Sequence, residues 1–428
     1  MSDTVGKLGG YEITKFDIHS HNTFKSSLID KIASFTLYED ISSPSLTAKI
    51  TIVDDTGAIN YFPIIGQERV DFSFKTSGSD SEINLEFNIV KISDMKDTGP
   101  ATQAYNLQLV TTDFIKNFET RICETFDGSS VEIGQRCFDK LGSIKSLSIE
   151  QSDDRYEQET ALLIPNMTPF RAMSFLCQKA FSETYKSSSY LFFETTNSYM
   201  MKPLESFVSA EAKNNFVVGP LKNTSSEPIT ESSGQSDPNQ ENKKVISYDF
   251  ESSFDVLNNI TKGMYAGNAT TVDFITRNSK KLTHSFWDNY SEYQIMNDGP
   301  FQSFDGQSRK YLPQTNYLVP EKELNGTSIY NQEKIFLRRL FYKQLMNNIK
   351  CTITVFGDSD LTLGDMINLQ IPLYSSTDSG EIDRYYSGKY LILALRHRLE
   401  LGRYYLDIEL VKDSFNDTLP SPIPELVR

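Results

Sequence analysis

The sequence predicts a mainly β protein with α/β insertions: two duplicated antiparallel β-barrel modules plus inserted α+β domains. Three observations predict it. A three-segment pattern occurs twice in the same order: Ala48–Asp54, Gly66–Phe74 and Tyr105–Phe114, then Cys351–Gly357, Gly364–Ile371 and Tyr405–Phe415. Each segment alternates apolar and polar residues with a period near two between Gly, Asp, Ser or Pro, the pattern of a half-buried antiparallel strand. The copies lie about 300 residues apart, far beyond the 20–50 residue period of solenoids, so a module is duplicated and no array is stacked. Helical spacing is confined to the stretches between the copies. Finally, 38% hydrophobic and 12% aromatic residues in 428 suffice for several packed cores.

In chain order, residues 11–114 read as strands and turns, with strands at Ile32–Tyr38, Leu46–Val53, Arg69–Phe74, Ile83–Val90 and Tyr105–Val110. From Asp113 the texture turns helical. Ser129 with Glu132 forms a capping-box pattern ahead of Ile133, Cys137, Phe138 and Leu141 on one face, and Gly142 is a stop signal. A second helix is predicted from Thr168-Pro169, with Thr as cap and Pro in the first turn, carrying Phe170, Met173, Leu176, Cys177 and Ala180. Tyr190–Phe193 reads as a strand. Asn223–Lys244 holds one aliphatic residue, Ile229, and no aromatic, which predicts a linker or loop.

Ser253–Thr261 is expected to be a short helix with Phe254, Leu257 and Ile260 inward, followed by strands at Met264–Ile275 and Lys281–Trp287. Glu292–Tyr330 is turn-rich, with Asp298-Gly299, Asp305-Gly306 and Asn325-Gly326. A helix over Asn331–Asn347, carrying Ile335, Phe336, Leu340 and Leu345, leads into the second β-module. The resulting domain expectation is a first barrel over 1–114, an inserted α/β domain over 115–210 and a polar linker over 211–247. The second barrel takes 248–275 and 348–415 around an inserted domain at 276–347, and a Pro-rich tail occupies 416–428.

Composition excludes several function classes. No segment approaches the ~18 apolar residues of a membrane helix, and Leu391–Leu395, the longest aliphatic run, is of strand length, so no membrane insertion is expected. Met1–Gly10 has no apolar core, and the expectation is synthesis in a cytoplasm without a cleaved export signal. Cys123, Cys137, Cys177 and Cys351 show no C-x-x-C or Cys/His spacing and read as small core hydrophobes; no cofactor is expected. A formal charge of −15 argues against wrapping around nucleic acid, although an acidic lumen suits a conduit because it will not trap a passing duplex.

Candidate chemistry is sparse. His19-x-His21 puts two imidazoles on one strand face, a metal edge with no visible third ligand. Asp358-Ser-Asp360 and Asp378–Glu381 are acidic turns without EF-hand spacing, and turn hydrogen bonding accounts for them. Nucleophile-elbow, zinc-protease, phosphate-loop and dinucleotide motifs are all missing, and His397 lies in a strand-like run far from any cysteine motif. No catalytic or metal residue is assigned. The single tryptophan, Trp287, disfavours a sugar-cleaving cleft, and aromatics that alternate within strands disfavour a glycan-binding surface. A peptidoglycan hydrolase and a receptor- or glycan-binding protein remain the alternatives.

Several stretches carry a family likeness: Ile52–Gly57 with Ile64–Glu68, Thr168–Leu176, Gly263–Phe274, and Leu361–Leu369 followed by Ser387–Ile392. In their order and spacing the chain resembles the baseplate hub proteins of T4-like contractile-tailed bacteriophages and, more distantly, the hub part of type VI secretion spike proteins. The resemblance implies that the barrels are of the tube type. It also implies a non-catalytic homotrimer with six similar barrels around a channel, adapting the sixfold tail tube to the threefold central spike within the virion baseplate. The implied partners are the chain itself, the central spike protein, the tail tube or tube-initiator protein and other baseplate wedge proteins, with phage DNA passing through the lumen without specific binding. The sequence stops about 13 residues after Phe415, so a separate spike protein is expected, and Leu419, Pro420, Ile423, Pro424, Leu426 and Val427 are the candidates for docking it.

Overall fold

A computed structural model describes residues 9–20, 25–57, 64–66, 68–77, 79, 81–99, 102–154, 161–219, 243–253, 255–262, 264–272, 277–285, 292–297, 315–320, 323–324, 327–328, 336–373 and 382–417. Alternating burial builds the first module. Its strands are β1 (Tyr11–His19), β2 (Lys25–Ser26), β3 (Ile32–Asp40), β4 (Thr47–Asp54), β5 (Arg69–Thr76), β6 (Glu82–Gly99) and β7 (Thr102–Thr111). In β4 the buried residues are every second one, Ala48, Ile50, Ile52 and Asp54. The lateral order is β1-β5-β6-β7-β4-β3, antiparallel throughout, with β2 added beside β1. Phe16, Phe35, Phe72, Phe74 and Phe87 fill the interior, where the Phe35 ring stacks on Phe72 with centroids 4.0 Å apart.

An α/β unit follows: α1 (Thr112–Glu119), β8 (Ile122–Phe126), α2 (Ser130–Asp139), β9 (Leu147–Ile149), β10 (Leu162–Met167), α3 (Pro169–Cys177), β11 (Tyr190–Glu194), β12 (Tyr199–Pro203) and α4 (Leu204–Val208). Its core is separate, with Ile133, Cys137, Phe138, Phe170, Met173 and Leu176 among its members. The capping box forms as the sequence indicates: Ser129 Oγ accepts from the Glu132 amide and Glu132 accepts from the Ser129 amide. At α3 the sequence reading needs correction. Thr168 occupies the cap position but its side chain makes no cap bond, and Asn117 of α1 reaches across to accept from the Phe170 amide at 2.8 Å. A neighbouring helix satisfies the orphan donor instead.

The second module comprises β13 (Ala212–Val218) and β14 (Lys244–Ser253). After an inserted stretch of α5 (Val256–Thr261), β15 (Ala266–Val272), β16 (Ser279–Ser285), β17 (Thr315–Pro320), β18 (Glu323–Leu324), β19 (Thr327–Ser328) and α6 (Arg338–Met346), it continues with β20 (Ile349–Phe356), β21 (Met366–Gln370), β22 (Gly388–Glu400) and β23 (Arg403–Lys412). The ring β22-β21-β13-β14-β20-β23 closes through β22–β23 pairing into a six-stranded barrel. Set beside the first module, β13, β14, β20, β21, β22 and β23 take the places of β1, β3, β4, β5, β6 and β7 in both chain order and lateral order, but the expected antiparallel pattern fails at β13, which runs parallel to β21 and β14 where β1 runs antiparallel to β5. The duplicated segments of the sequence are therefore β4 with β20, β5 with β21 and β7 with β23. A β-bulge is duplicated too: β6 slips between Ile89 and Lys91 where it faces Leu109, and β22 slips between Ile392 and Ala394 where it faces Leu410.

Several expectations are corrected. The span 211–247 is not all linker, because Ala212–Val218 is a barrel strand with Phe216 and Val218 buried and β14 already begins at Lys244; residues 220–242 lie outside the described residues. The span 248–275 is not all barrel. Beyond Ser253, strand β15 pairs with β16 and β17 in a separate three-stranded sheet, so the insertion into the second barrel starts about 20 residues earlier than expected. Thr315–Pro320 is a strand within the stretch read as irregular, and its parallel partner β15 is too distant in sequence for a local pattern to reveal. Leu257 is 78% exposed, not inward: α5 is only six residues long, and it turns Asn259 inward to bond Asn348 and Gln344. Cys123 is exposed, unlike the other three cysteines. Phe254, Ile335 and Asp378–Glu381 fall outside the described residues. Among the described residues no helix is long and apolar enough to cross a membrane.

Candidate assembly interface

The two modules are joined by a strand ladder. Past its bulge β22 stays on β23 along one edge, while its other edge passes from β21 to β3 and pairs antiparallel with it, from Ala394 opposite Asp40 to Glu400 opposite Ser34, so that both modules share one 13-stranded sheet. Bulges bend and twist a strand, which lets one edge of β22 serve β21 before the bulge and the neighbouring module beyond it. Leu399 and Tyr404 of the second module are buried in the core of the first.

A polar chain lies inside this seam. His397 Nε2 is 2.7 Å from Glu39 Oε1, and His397 Nδ1 is 2.6 Å from the Tyr404 hydroxyl. Phe74 of β5 packs edge-on against both the imidazole and the Tyr404 ring. Burial pushes the Tyr404 hydroxyl pKa well above its ordinary value, so it remains a neutral donor or acceptor. The Tyr404 amide donates to Gly9 O at 2.7 Å, and the Gly357 amide donates to Tyr404 O at 2.8 Å. The acidic turn Asp358-Ser-Asp360 also belongs here: the Asp360 amide donates to Asp358 Oδ1, as turn chemistry requires, while the Ser359 amide donates to Thr76 Oγ1 across the modules at 3.1 Å. On the outer face Asp407 accepts from Arg396 at 2.7 Å and Arg398 at 2.8 Å. Burial pushes the Asp407 carboxyl up, but bonds from Arg398, Thr354 and Arg396 hold it below its ordinary value.

One cleft of about 470 Å³ lies between the first module and the α/β unit, lined by Lys15, Arg69, Asp71, Glu86, Lys145 and Glu194 among others. Its charges are matched. Asp71 meets Lys15 at 2.8 Å and Arg69 at 3.2 Å, and Glu194 meets Lys145 at 2.8 Å. Glu194 also accepts from the Leu46 amide and Thr111 Oγ1, both at 3.0 Å, which fastens the α/β unit to the β3–β4 turn and the end of β7. Glu194 is thus committed to holding two domains together, and Asp71 to pairing β1 with β5 inside the first module.

Of the residues singled out by sequence, His19 sits 3.2 Å from Asp71 and His21 lies outside the described residues. Among the described residues no group of three or more His, Cys, Asp or Glu is placed to hold a metal ion. Leu419, Pro420, Ile423, Pro424, Leu426 and Val427 also lie outside them. Sequence reasoning missed Glu39 altogether and placed His397 in a strand without a role. The available signal was a histidine and a glutamate in otherwise apolar core positions, where a buried polar group needs a partner.

No protein-family model matches the chain, and no curated protein sequence matches it. Solved structures do. A tail protein from Neisseria meningitidis MC58 is similar with a TM-score of 0.55 at 10% identity, covering 96% of this chain and 100% of that one. The 43 kDa tail protein of prophage MuSo2 from Shewanella oneidensis is similar with a TM-score of 0.55 at 8% identity, covering 93% and 98%. The likeness covers nearly the whole chain.

Proposed function

We propose that this chain is a structural baseplate hub subunit of a contractile phage tail. Three copies form a ring of six similar barrels that adapts the sixfold tail tube to the threefold central spike and encloses part of the DNA channel. The observation that carries the reading is the shared lateral order of the two modules, fused edge to edge through β3 and β22. Two like modules per chain let three chains offer six similar seats on one face, while the insertions, which differ between the modules, keep a threefold outline. The similarity to a tail protein and to a prophage tail protein supports this role.

In this reading the chain is non-catalytic and resides in the virion tail. Its partners are the spike, the tube or tube-initiator protein and the wedge proteins, with residues 419–427 as part of the spike-docking surface and a lumen that is neutral or net negative toward passing DNA. Light scattering of the purified chain, followed by end-on electron micrographs, tests the proposal. A particle about three times the 48.7 kDa chain, with a central hole and six lobes, is expected. A chain that stays monomeric at high concentration and in the presence of tube and spike proteins would sink it.

A further inference from the structure

The seam inside the chain uses only half of what duplication supplies. One ingredient is an edge strand at the second place of a module, β3; the other is a strand at the fifth place that passes a bulge and runs on, β22. Both ingredients recur. The counterpart of β22 is β6, which has the equivalent bulge after Ile89 and continues to Gly99 as an arm paired with β7, with two further register shifts, between Ser93 and Lys96 and between Asp97 and Gly99, that β22 lacks. Among the described residues no strand pairs with the β5 side of that arm beyond Asn88. The counterpart of β3 is β14. Among the described residues no strand pairs with its outer edge beyond Val245.

We propose that the β6 arm, residues 91–97, of one chain pairs antiparallel with the outer edge of β14, residues 247–252, of a second copy, repeating between chains the seam that β22 makes with β3 within one. The proposal deepens the ring reading above and rests on it for the number of chains. The two edges cannot meet within one chain, because the β3–β22 seam already fixes the modules side by side, and β6 lies three places from β3 in the first module and β14 three places from β22 in the second, each on the far side of its module from the seam. A contact of this kind is heterologous, and head-to-tail repetition closes into a ring when the rotation per chain allows. Apolar groups stand ready at both edges: Val90 and Met95 are 46% and 50% exposed, and Ile246 is 39% exposed. Strand addition supplies main-chain hydrogen bonds for affinity, and side chains set the register.

The internal seam gives that register. Lys96 faces Ala104, and Arg398 faces Tyr405 at the equivalent place in the second module. Arg398 faces Thr36, and Thr36 faces Lys49. The equivalent of Lys49 is Thr352, which faces Asp249. Transferred between chains, Lys96 therefore lies opposite Asp249, a pair of opposite charge. Over residues 247–252 the β14 edge carries only acidic groups, Asp249 and Glu251, which disfavours its pairing with itself.

The test is cysteine pairing in a Cys123→Ser background under mild oxidation, with Lys96→Cys and Asp249→Cys in the full chain. Expected is a covalent ladder that ends at three chains. The internal pair Thr36→Cys with Arg398→Cys serves as control and should close within one chain. In the otherwise native chain, Lys96→Glu should weaken assembly several-fold, and adding Asp249→Lys should restore it. A three-chain particle in which Lys96→Cys and Asp249→Cys do not cross-link, while the internal control closes, overturns this interface and leaves the hub reading standing. A chain that is monomeric under every condition overturns both.

Discussion

His397 Nε2 lies 2.7 Å from Glu39 Oε1, and neither side chain reaches solvent. One residue belongs to β22 and the other to β3, so the polar pair spans the junction between the duplicated modules. Taking polar groups out of water is costly, and the bond offsets that cost only while both members are present.

Removing one member should therefore be worse than removing both. His397→Leu leaves a buried carboxylate unsatisfied and is expected to destabilise the chain by about 3–5 kcal/mol. The double variant Glu39→Leu/His397→Leu should recover part of that loss, because the buried carboxyl is gone and only the Tyr404 hydroxyl is left without its His397 partner. Denaturant titration of the four members of the cycle measures it.

The module core makes a second prediction. Phe72 stacks on Phe35 at 4.0 Å and also contacts Phe16 and Phe74, so Phe72→Ala leaves a large cavity and should cost about 3–5 kcal/mol. Because β3 and β22 share one sheet, calorimetry of this variant should show both modules shifting together. Separate shifts would mean that the seam does not couple them.

Gly357 is a third test. A Cβ placed there would come within 2.0 Å of the Tyr404 ring, the same ring that holds His397. Gly357→Ala should cost about 1–3 kcal/mol through overpacking, read as a lowered denaturant midpoint. Gly142→Ala differs: its Cβ would meet nothing within 4 Å, and only the positive φ of 65° is strained.

The buried carboxyl of Glu205 gives the pH prediction. Burial pushes its pKa up to about 7, against a smaller opposing effect of a hydrogen bond from Ser187. The folded chain therefore holds this proton more tightly than the unfolded chain, so this group's effect on stability turns unfavourable as pH rises from about 4.5 to 7 and is flat above that. Glu205→Gln should leave stability nearly unchanged at pH 5 and raise it by up to about 3 kcal/mol at pH 8. An equal effect at both pH values would argue against the shift.

Much of the fold was legible because local patterning and tertiary structure agree. Ala48, Ile50 and Ile52 alternate with polar residues in sequence and in burial, as do Cys351, Ile353 and Val355, which made the duplication visible. The capping box at Ser129 is likewise a local interaction, readable at a spacing of three residues. What escaped is non-local. Ala212–Val218 is a strand because β21 lies beside it, 150 residues away in sequence, and its own pattern contains only Phe216 and Val218 as buried anchors. The arm of β6 beyond Val90 lacks alternating burial, since among the described residues no strand pairs with its β5 side. The seam itself joins residues 34–40 to 394–400, and no spacing rule links Glu39 with His397.

That separation sets a schedule. All of β1–β7 lies within the first 111 residues, so the first module has every strand it needs early in synthesis. The strand that covers β3 is complete only at Glu400, 289 residues later, which a ribosome adds in roughly 15–60 s. For that interval β3 presents an uncovered edge to everything else in the cell. Glu39 and Asp40 stand at the end of that edge, and acidic groups there discourage a passing strand that lacks a matching partner, until β22 emerges and delivers His397.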